Sequence, residues 1–161
     1  MFTVGILTIS DKGARGQRYD ESGQTIRDIF SDLDSDIIHY EVVPDELDVI
    51  RRKLVEWADG GDTDIIITTG GTGLSERDVT PEATEAVIDR PVPGIAEAMR
   101  ARSLDKTPMA MLSRATAGVR GRSLIINLPG SPRAVRECLE VVLPAIPHAV
   151  DIIKGVVTEH S

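Results

Sequence analysis

Several residue types are scarce in this chain of 161 residues, and each scarcity excludes a class of protein. The only cysteine, Cys138, excludes an intrachain disulfide and suits a reducing cytoplasm. Lys and Arg total 18 against 26 Asp and Glu, so the net charge is −8 and no diffuse basic surface is available for a nucleic-acid backbone. No apolar run approaches the roughly 20 residues that span a bilayer. We therefore expect a soluble, cytoplasmic protein that binds neither nucleic acid nor membrane.

The remaining composition predicts one compact domain over residues 1–161. A hydrophobic content of 41% is enough for one sizeable core at this length. The acidic excess also sets a condition on any anionic ligand, because the overall field of the protein repels it. Local backbone amides, a few cations or a divalent metal ion must offset that repulsion.

Apolar patterning predicts strands that alternate with helices. The predicted strands cover residues 4–9, 37–43, 64–69 and 124–128. Predicted helices run over 22–33, from Leu47 to Gly60, from a Thr80 N-cap with Pro81 at the first helical position, over 95–103, over 109–115 and from 133 onward. Residues 119–123 are expected to form a turn, and Pro144 and Pro147 to kink or divide the last helix.

This alternation predicts an α/β fold, a three-layer α/β/α sandwich around a mostly parallel sheet. Residues 64–69 support parallel pairing, since they are apolar without alternation, as in a strand that is covered on both faces. Ligands of such sheets bind beyond the carboxyl ends of the strands. The residues that directly follow each strand are therefore the candidates for a site.

A glycine-rich loop, 70–73, follows the third predicted strand. Glycine lets backbone amides approach a ligand closely, and helix starts at Thr80 and Ser131 add N–H groups that attract phosphate. For a bare Gly-Gly-Thr-Gly, a simple tight turn is the better interpretation; the second junction at Ser131-Pro132 and the flanking charges favour an anion site. The loop lacks the Lys of a Walker A motif and the third glycine of a dinucleotide fingerprint.

Single charged residues near these junctions are ambiguous. Asp78 either supports its own loop or faces the ligand, where it would hold Mg²⁺ or a polar group. Asp45 follows Pro44, a position that is also typical of an ordinary helix N-cap. Four basic residues are candidates for phosphate contacts, although any one of them is more often a solvated charge: Lys12, Arg77, Arg114 and Arg133.

Short segments spread through nearly the whole chain together carry a family resemblance. They are Ser10-Asp11, Asp20-Glu21-Ser22-Gly23, Pro44-Asp45, Thr69-Gly70-Gly71-Thr72-Gly73, Arg77-Asp78-Val79-Thr80-Pro81-Glu82-Ala83, Leu112-Ser113-Arg114 and Leu128-Pro129-Gly130-Ser131-Pro132. With these segments, the sequence resembles the molybdopterin adenylyltransferase family, whose members are also called MogA or MoaB proteins. The two longest segments are distinctive together, whereas Ser-Asp or Pro-Asp alone carries little weight.

The resemblance implies a nucleotidyltransferase of molybdenum cofactor biosynthesis. The implied reaction joins ATP and molybdopterin, with Mg²⁺, into molybdopterin adenylate and pyrophosphate. It also implies a homotrimer or higher homo-oligomer and hand-over of the product to a molybdotransferase. A non-catalytic module that binds or carries molybdopterin in the same pathway is the alternative function.

The resemblance further implies roles for individual residues. Asp45 and Asp78 are the carboxylates implied in catalysis and in holding Mg²⁺. The implied substrate-binding residues are Ser10, Asp11, Thr69, Gly70, Gly71, Thr72, Gly73, Thr80, Glu82, Ser113, Arg114, Gly130 and Ser131.

Overall fold

The computed structural model of the chain describes residues 1–156, and a single six-stranded sheet lies at its centre. The strands are β1 (Phe2–Ile9), β2 (Ser35–Val43), β3 (Ile65–Thr69), β4 (Arg90–Pro91), β5 (Ala117–Arg120) and β6 (Ser123–Leu128). The helices are α1 (Asp11–Ala14), α2 (Glu21–Ser31), α3 (Leu47–Asp59), α4 (Thr80–Glu85), α5 (Pro93–Leu104), α6 (Pro132–Val142) and α7 (Ile146–Ile153), with 3₁₀ helices at Pro108–Leu112 and Leu143–Ala145.

The sheet is mostly parallel, in the order β2-β1-β3-β6-β5-β4. The first four strands of this order pair in parallel, while β5 and β4 add antiparallel pairs at one edge. The chain leaves β1 toward β2 on one side and leaves β3 toward β6 on the other. The carboxyl ends of β1 and β3 therefore flank a topological switch point, where sheets of this type form a crevice.

Helices cover both faces of the sheet, as the continuous apolar run of β3 predicted. Consecutive residues of β3 point to opposite faces: Ile65 and Ile67 pack with α2, α5, α6 and α7, whereas Ile66 packs with α3 and α4. All three isoleucines are fully buried. The three-layer α/β/α sandwich is confirmed.

The predicted turn at residues 119–123 is wrong in its bounds. Ala117–Arg120 forms β5, paired with β6, and only Gly121 and Arg122 make the turn. Gly121 has a φ of 57°, a conformation that glycine adopts without steric cost. The short edge strand β4 was also missed, because Arg90–Pro91 has neither length nor an apolar pattern.

Helix starts near the switch point follow the prediction at one junction and depart from it at the other. Ser131 caps α6 as predicted, its Oγ accepting from the Ala134 N–H at 3.2 Å. Thr80 does not cap α4: Val79 is the N-cap, and the Thr80 hydroxyl instead donates to the Gly70 carbonyl. The prediction erred because this acceptor, ten residues away in sequence, is a tertiary contact.

The remaining helices lie close to their predicted positions. The helix expected at 109–115 is the 3₁₀ helix Pro108–Leu112, and Pro144 and Pro147 lie where the C-terminal helix divides, as predicted. Cys138 is buried on α6. Within residues 1–156, every helix is too short or too polar to cross a bilayer.

Candidate functional site

A cleft of about 630 Å³ opens at the switch point, beyond the carboxyl ends of β1 and β3. This volume lies within the range of small-molecule sites. Its walls come from loops that are far apart in sequence: residues 8–10, Gly13, 18–22, Asp45, 69–71, Asp78 and 130–132. Eight of the residues predicted for the site line the cleft: Ser10, Asp45, Thr69, Gly70, Gly71, Asp78, Gly130 and Ser131.

The glycine-rich loop is held in a conformation that excludes side chains. Gly70 and Gly71 have φ values of 96° and 69°, and a Cβ at Gly70 would collide with the Ile9 carbonyl oxygen. Thr80 fixes the loop from behind, with its N–H donating to Gly71 O at 3.1 Å and its hydroxyl to Gly70 O at 3.0 Å. The loop is thus a rigid backbone surface at the floor of the cleft.

The second junction lies directly against this loop. Thr69 Oγ1 donates to the Pro129 carbonyl at 2.7 Å, and a Cβ on Gly130 would lie 3.4 Å from the Gly70 Cα. Among residues 1–156, the N–H groups of Gly71, Gly130 and Ser131 find no acceptor. Free amides attract anions, and here the amide of the glycine-rich loop and the amides at the start of α6 line the same cleft.

Asp11 and Asp45 bind each other's backbone and join two loops of the site. The Asp11 N–H donates to Asp45 Oδ2 and the Asp45 N–H donates to Asp11 Oδ1, each at 2.9 Å. Arg77 completes the group with two hydrogen bonds to Asp11, at 2.8 and 3.0 Å. Asp45 is therefore not the N-cap of α3, a position that Glu46 occupies without a side-chain bond.

The two carboxyl groups of this pair have shifted pKa values of opposite sign. The Arg77 guanidinium holds the pKa of Asp11 below its ordinary value, and the hydrogen bond from the Asp45 N–H adds to the decrease. Burial raises the pKa of Asp45, and the negative charges of Asp11 and Asp78 also raise it. Arg77, which bonds Asp11, offsets only part of this increase in the pKa of Asp45.

Asp78 supports its own loop, as one of its two predicted roles requires, and it also lines the cleft. Its Oδ2 accepts from the Ser75 N–H at 3.0 Å. Arg114 holds the same loop from outside, donating to Gly73 O at 2.8 Å and to Asp78 O at 2.7 Å. Arg114 also pairs with Glu82 and lowers the pKa of that carboxyl.

Seven predicted binding residues do not line the cleft. Six of them stand behind its walls and hold the loops described above: Asp11, Thr72, Gly73, Thr80, Glu82 and Arg114. Thr72, for example, is buried and accepts the Arg114 N–H through its carbonyl at 2.8 Å. Ser113 lies instead on a separate, more apolar cavity of about 190 Å³ between α5, α6 and the 3₁₀ helix Pro108–Leu112.

The sequence prediction omitted Asp20, which lines the cleft at the start of α2. Its carboxylate accepts from the Gly23 N–H at 3.0 Å, from Thr8 Oγ1 at 2.8 Å and from the Tyr40 hydroxyl. Burial and this carboxylate together raise the pKa of Tyr40, so its proton stays in place. The available signal was positional, since Asp20 stands directly before a predicted helix and is the N-cap of α2.

Protein side chains alone do not form a metal cage in the described part of the chain. No three His, Cys, Asp or Glu residues among 1–156 are grouped so that they could hold an ion. Asp45 and Asp78 line one cleft and interact electrostatically. Two carboxylates of this kind fit Mg²⁺, an ion that commonly completes its oxygen shell with phosphate and water.

The fold and the cleft place the chain among α/β proteins whose ligand site lies at a topological switch point. A family model described as "Probable molybdopterin binding domain" matches residues 5–148. The chain is 48% identical over 154 residues to a molybdopterin adenylyltransferase of Helicobacter pylori, which covers 94% of this chain and 88% of that protein. It is 35% identical over 166 residues to a molybdopterin adenylyltransferase of Escherichia coli, covering 94% and 85%.

A solved structure agrees with these sequence relatives. The molybdopterin biosynthesis enzyme MoaB from Thermus thermophilus superposes with a TM-score of 0.91 at 55% identity, covering 96% of this chain and 98% of that one. The chain therefore belongs to the molybdopterin-binding domain family, as its resemblance to MogA and MoaB proteins indicated.

Proposed function

We propose that this chain catalyses the adenylylation of molybdopterin in molybdenum cofactor biosynthesis. A terminal phosphate oxygen of molybdopterin attacks the α-phosphorus of ATP. A new phosphoanhydride bond forms, the bond to the β-phosphate breaks, and pyrophosphate leaves. Two relatives that the chain matches over 88% and 85% of their length are named molybdopterin adenylyltransferase, which is the proposed activity.

One observation carries the proposal: free backbone amides and two carboxylates, Asp45 and Asp78, line a single cleft. The N–H groups of Gly71, Gly130 and Ser131 find no acceptor within residues 1–156, and Asp45 lies directly beside the loop, since a Cβ on Gly71 would lie 3.3 Å from Asp45 Oδ1. The amides suit phosphate oxygens. The carboxylates suit a cation or the hydrogen-bond donors of a ligand. The cleft can therefore bind both the phosphates and the metal ion of a metal–nucleotide complex.

The chemistry needs positioning more than a protein nucleophile. The attacking phosphate oxygen already carries negative charge near neutral pH, so the difficulty is to bring two anions together in line. The rigid loop 70–73 and the capped start of α6 fix donors that require no rearrangement during the reaction. Hydrogen bonds from Thr80 and Arg114 keep this frame in place.

Asp45 and Asp78 are the residues that would hold Mg²⁺. When bound, the ion offsets phosphate charge that the acidic protein would otherwise repel. The raised pKa of Asp45 is consistent with this assignment, because a carboxylate that is buried among other negative charges gains most from a neighbouring cation.

The activity is tested with purified protein, ATP, molybdopterin and Mg²⁺, by measuring pyrophosphate release and adenylylated pterin together. We expect both products from the wild type, and losses of about 100-fold or more in Asp45→Asn and Asp78→Asn. Glu46→Gln and Glu76→Gln are matched controls, because each removes one exposed carboxylate next to the cleft without lining it. Molybdopterin binding without pyrophosphate release would instead favour the non-catalytic carrier.

The same proposal extends to organisation and setting. We propose that residues 1–161 act as a single domain, in the cytoplasm, that assembles as a homotrimer and passes its product to a molybdotransferase. The 3₁₀ helix Pro108–Leu112 supports assembly, since Met109, Met111 and Leu112 are 66%, 67% and 48% exposed. Light scattering tests it: a trimer mass is expected for the wild type, and a monomer mass would contradict it.

A further inference from the structure

The basic residues that the sequence offered for phosphate contacts are engaged elsewhere or lie outside the cleft. Arg77 is paired with Asp11 and Arg114 with Glu82, and both pairs sit behind the cleft walls. Arg133 is 85% exposed and pairs with Glu137 along α6 at 3.3 Å. Lys12 is exposed and does not line the cleft.

A different cation lines the cleft. Arg18 lies in the segment between α1 and α2, and it is the only Lys or Arg among the described residues that form the cleft walls. Within residues 1–156 its guanidinium takes part in no ion pair or side-chain hydrogen bond, unlike the other arginines named above. Its five donors therefore remain available to a ligand.

The segment that carries Arg18 is anchored at both ends. The Gln17 N–H donates to the Lys12 carbonyl at 2.9 Å, and the Glu21 N–H donates to the Tyr19 carbonyl at 3.1 Å. Asp20 then caps α2 and bonds Thr8 of β1. The backbone origin of the Arg18 side chain is thus fixed relative to the sheet, although the guanidinium itself is free.

The walls of the cleft carry more negative than positive charge, so a phosphate ligand needs a cation there. Four carboxylates line the walls, from Asp20, Glu21, Asp45 and Asp78, against one guanidinium. Such a cleft repels phosphates unless cations offset the field. Guanidinium matches phosphate in charge and in its two-donor geometry.

We propose that Arg18 is a phosphate-binding residue of this cleft, which contacts a phosphate group of ATP or of the phosphorylated pterin. The inference rests on the proposed function and goes further by naming the cation. Because the side chain belongs to an exposed segment, it contributes to binding more than to the geometry of the reacting atoms. Replacement therefore raises KM with a smaller change in kcat.

Titration calorimetry of Arg18→Gln tests the proposal, with ATP, molybdopterin and adenosine as separate ligands. We expect Kd to rise about threefold to tenfold for ATP or molybdopterin, with adenosine unaffected. The affected phosphate ligand identifies which substrate Arg18 contacts. Arg18→Lys should recover part of the lost affinity.

Arg15→Gln is the matched control. Arg15 lies three residues away in the same exposed segment, carries the same charge and does not line the cleft; its Nε donates to Gln17 Oε1 at 3.3 Å. Its Kd values should stay within twofold of the wild type. Equal losses in both variants, or none in Arg18→Gln while the wild type binds ATP, would overturn the Arg18 assignment alone. A wild type that binds neither phosphate ligand would overturn the proposed function with it.

Discussion

Replacing Asp45 with Asn separates the charge of this carboxylate from its hydrogen bond. The amide oxygen of Asn can still accept the Asp11 N–H, which Asp45 Oδ2 now accepts at 2.9 Å. The charge disappears, and with it the cost of burying that charge and the repulsion by Asp11 and Asp78, both of which raise the pKa of Asp45. The substitution thus removes an unfavourable contribution to folding and retains a favourable one.

The magnitude follows from these two contributions. Because the site is partly open to solvent, relief of the charge is worth at most about 1 kcal/mol in the free energy of unfolding. Asp45→Ala removes the same charge but also leaves the Asp11 N–H without its partner, which costs about 1–2 kcal/mol relative to Asp45→Asn. At about 2–4 °C per kcal/mol for a chain of this size, we expect Asp45→Asn to melt about 0–4 °C above the wild type and Asp45→Ala about 2–8 °C below Asp45→Asn.

The pH dependence has a definite sign. A carboxyl whose pKa is higher in the folded state makes the wild type less stable at neutral pH, and that penalty fades as pH falls through the raised folded pKa. The advantage of Asp45→Asn should therefore shrink between pH 7 and pH 4. Circular dichroism melts across this range measure it. An Asn variant that melts with the Ala variant, or retains wild-type turnover, would refute the reasoning.

Two further predictions concern the loop and its supporting ion pair. Gly70→Ala should lower the free energy of unfolding by about 1–3 kcal/mol and abolish ATP binding, because Gly70 has a φ of 96° and an added Cβ would collide with the Ile9 carbonyl oxygen. Gly94→Ala is the control, since a Cβ there meets open space. This variant should keep the wild-type stability and ATP affinity in the same melts and titrations. Arg77 lowers the pKa of Asp11, so this pair stabilises the fold above the unfolded-state pKa of Asp11 and loses its effect as pH falls through the folded value. Arg77→Gln should thus flatten acid unfolding, and an unchanged acid limb would contradict the assignment.

The sequence predicted those parts of the fold that depend on local pattern. Ile65, Ile66 and Ile67 form a continuous apolar run, which is enough to predict a strand that is covered on both faces. Ser131 before Pro132 likewise predicts a helix start without help from distant residues. β5 escaped the prediction because its four residues, next to the Gly121-Arg122 turn, carry little periodicity.

The location of the candidate site was predictable from the sequence, but the hydrogen bonds between its residues were not. Strand ends at a switch point meet by topology, so Asp45, Asp78 and the glycine-rich loop were expected together. The hydrogen-bond partners of Asp11 and Thr80 are set by tertiary structure. Asp11 bonds Asp45, 34 positions away, and the Thr80 hydroxyl donates to the Gly70 carbonyl instead of capping α4. Sequence spacing carries no record of such contacts.

Tracing the α-phosphate of ATP tests the central claim most directly. The protein is incubated with Mg²⁺, molybdopterin and ATP that is labelled at the α-phosphorus, and the products are separated by chromatography. The account predicts that label moves onto the pterin in equal amount to the pyrophosphate released, and that Asp78→Asn blocks both. Label that remains in ATP, or that appears only as free AMP, would contradict it.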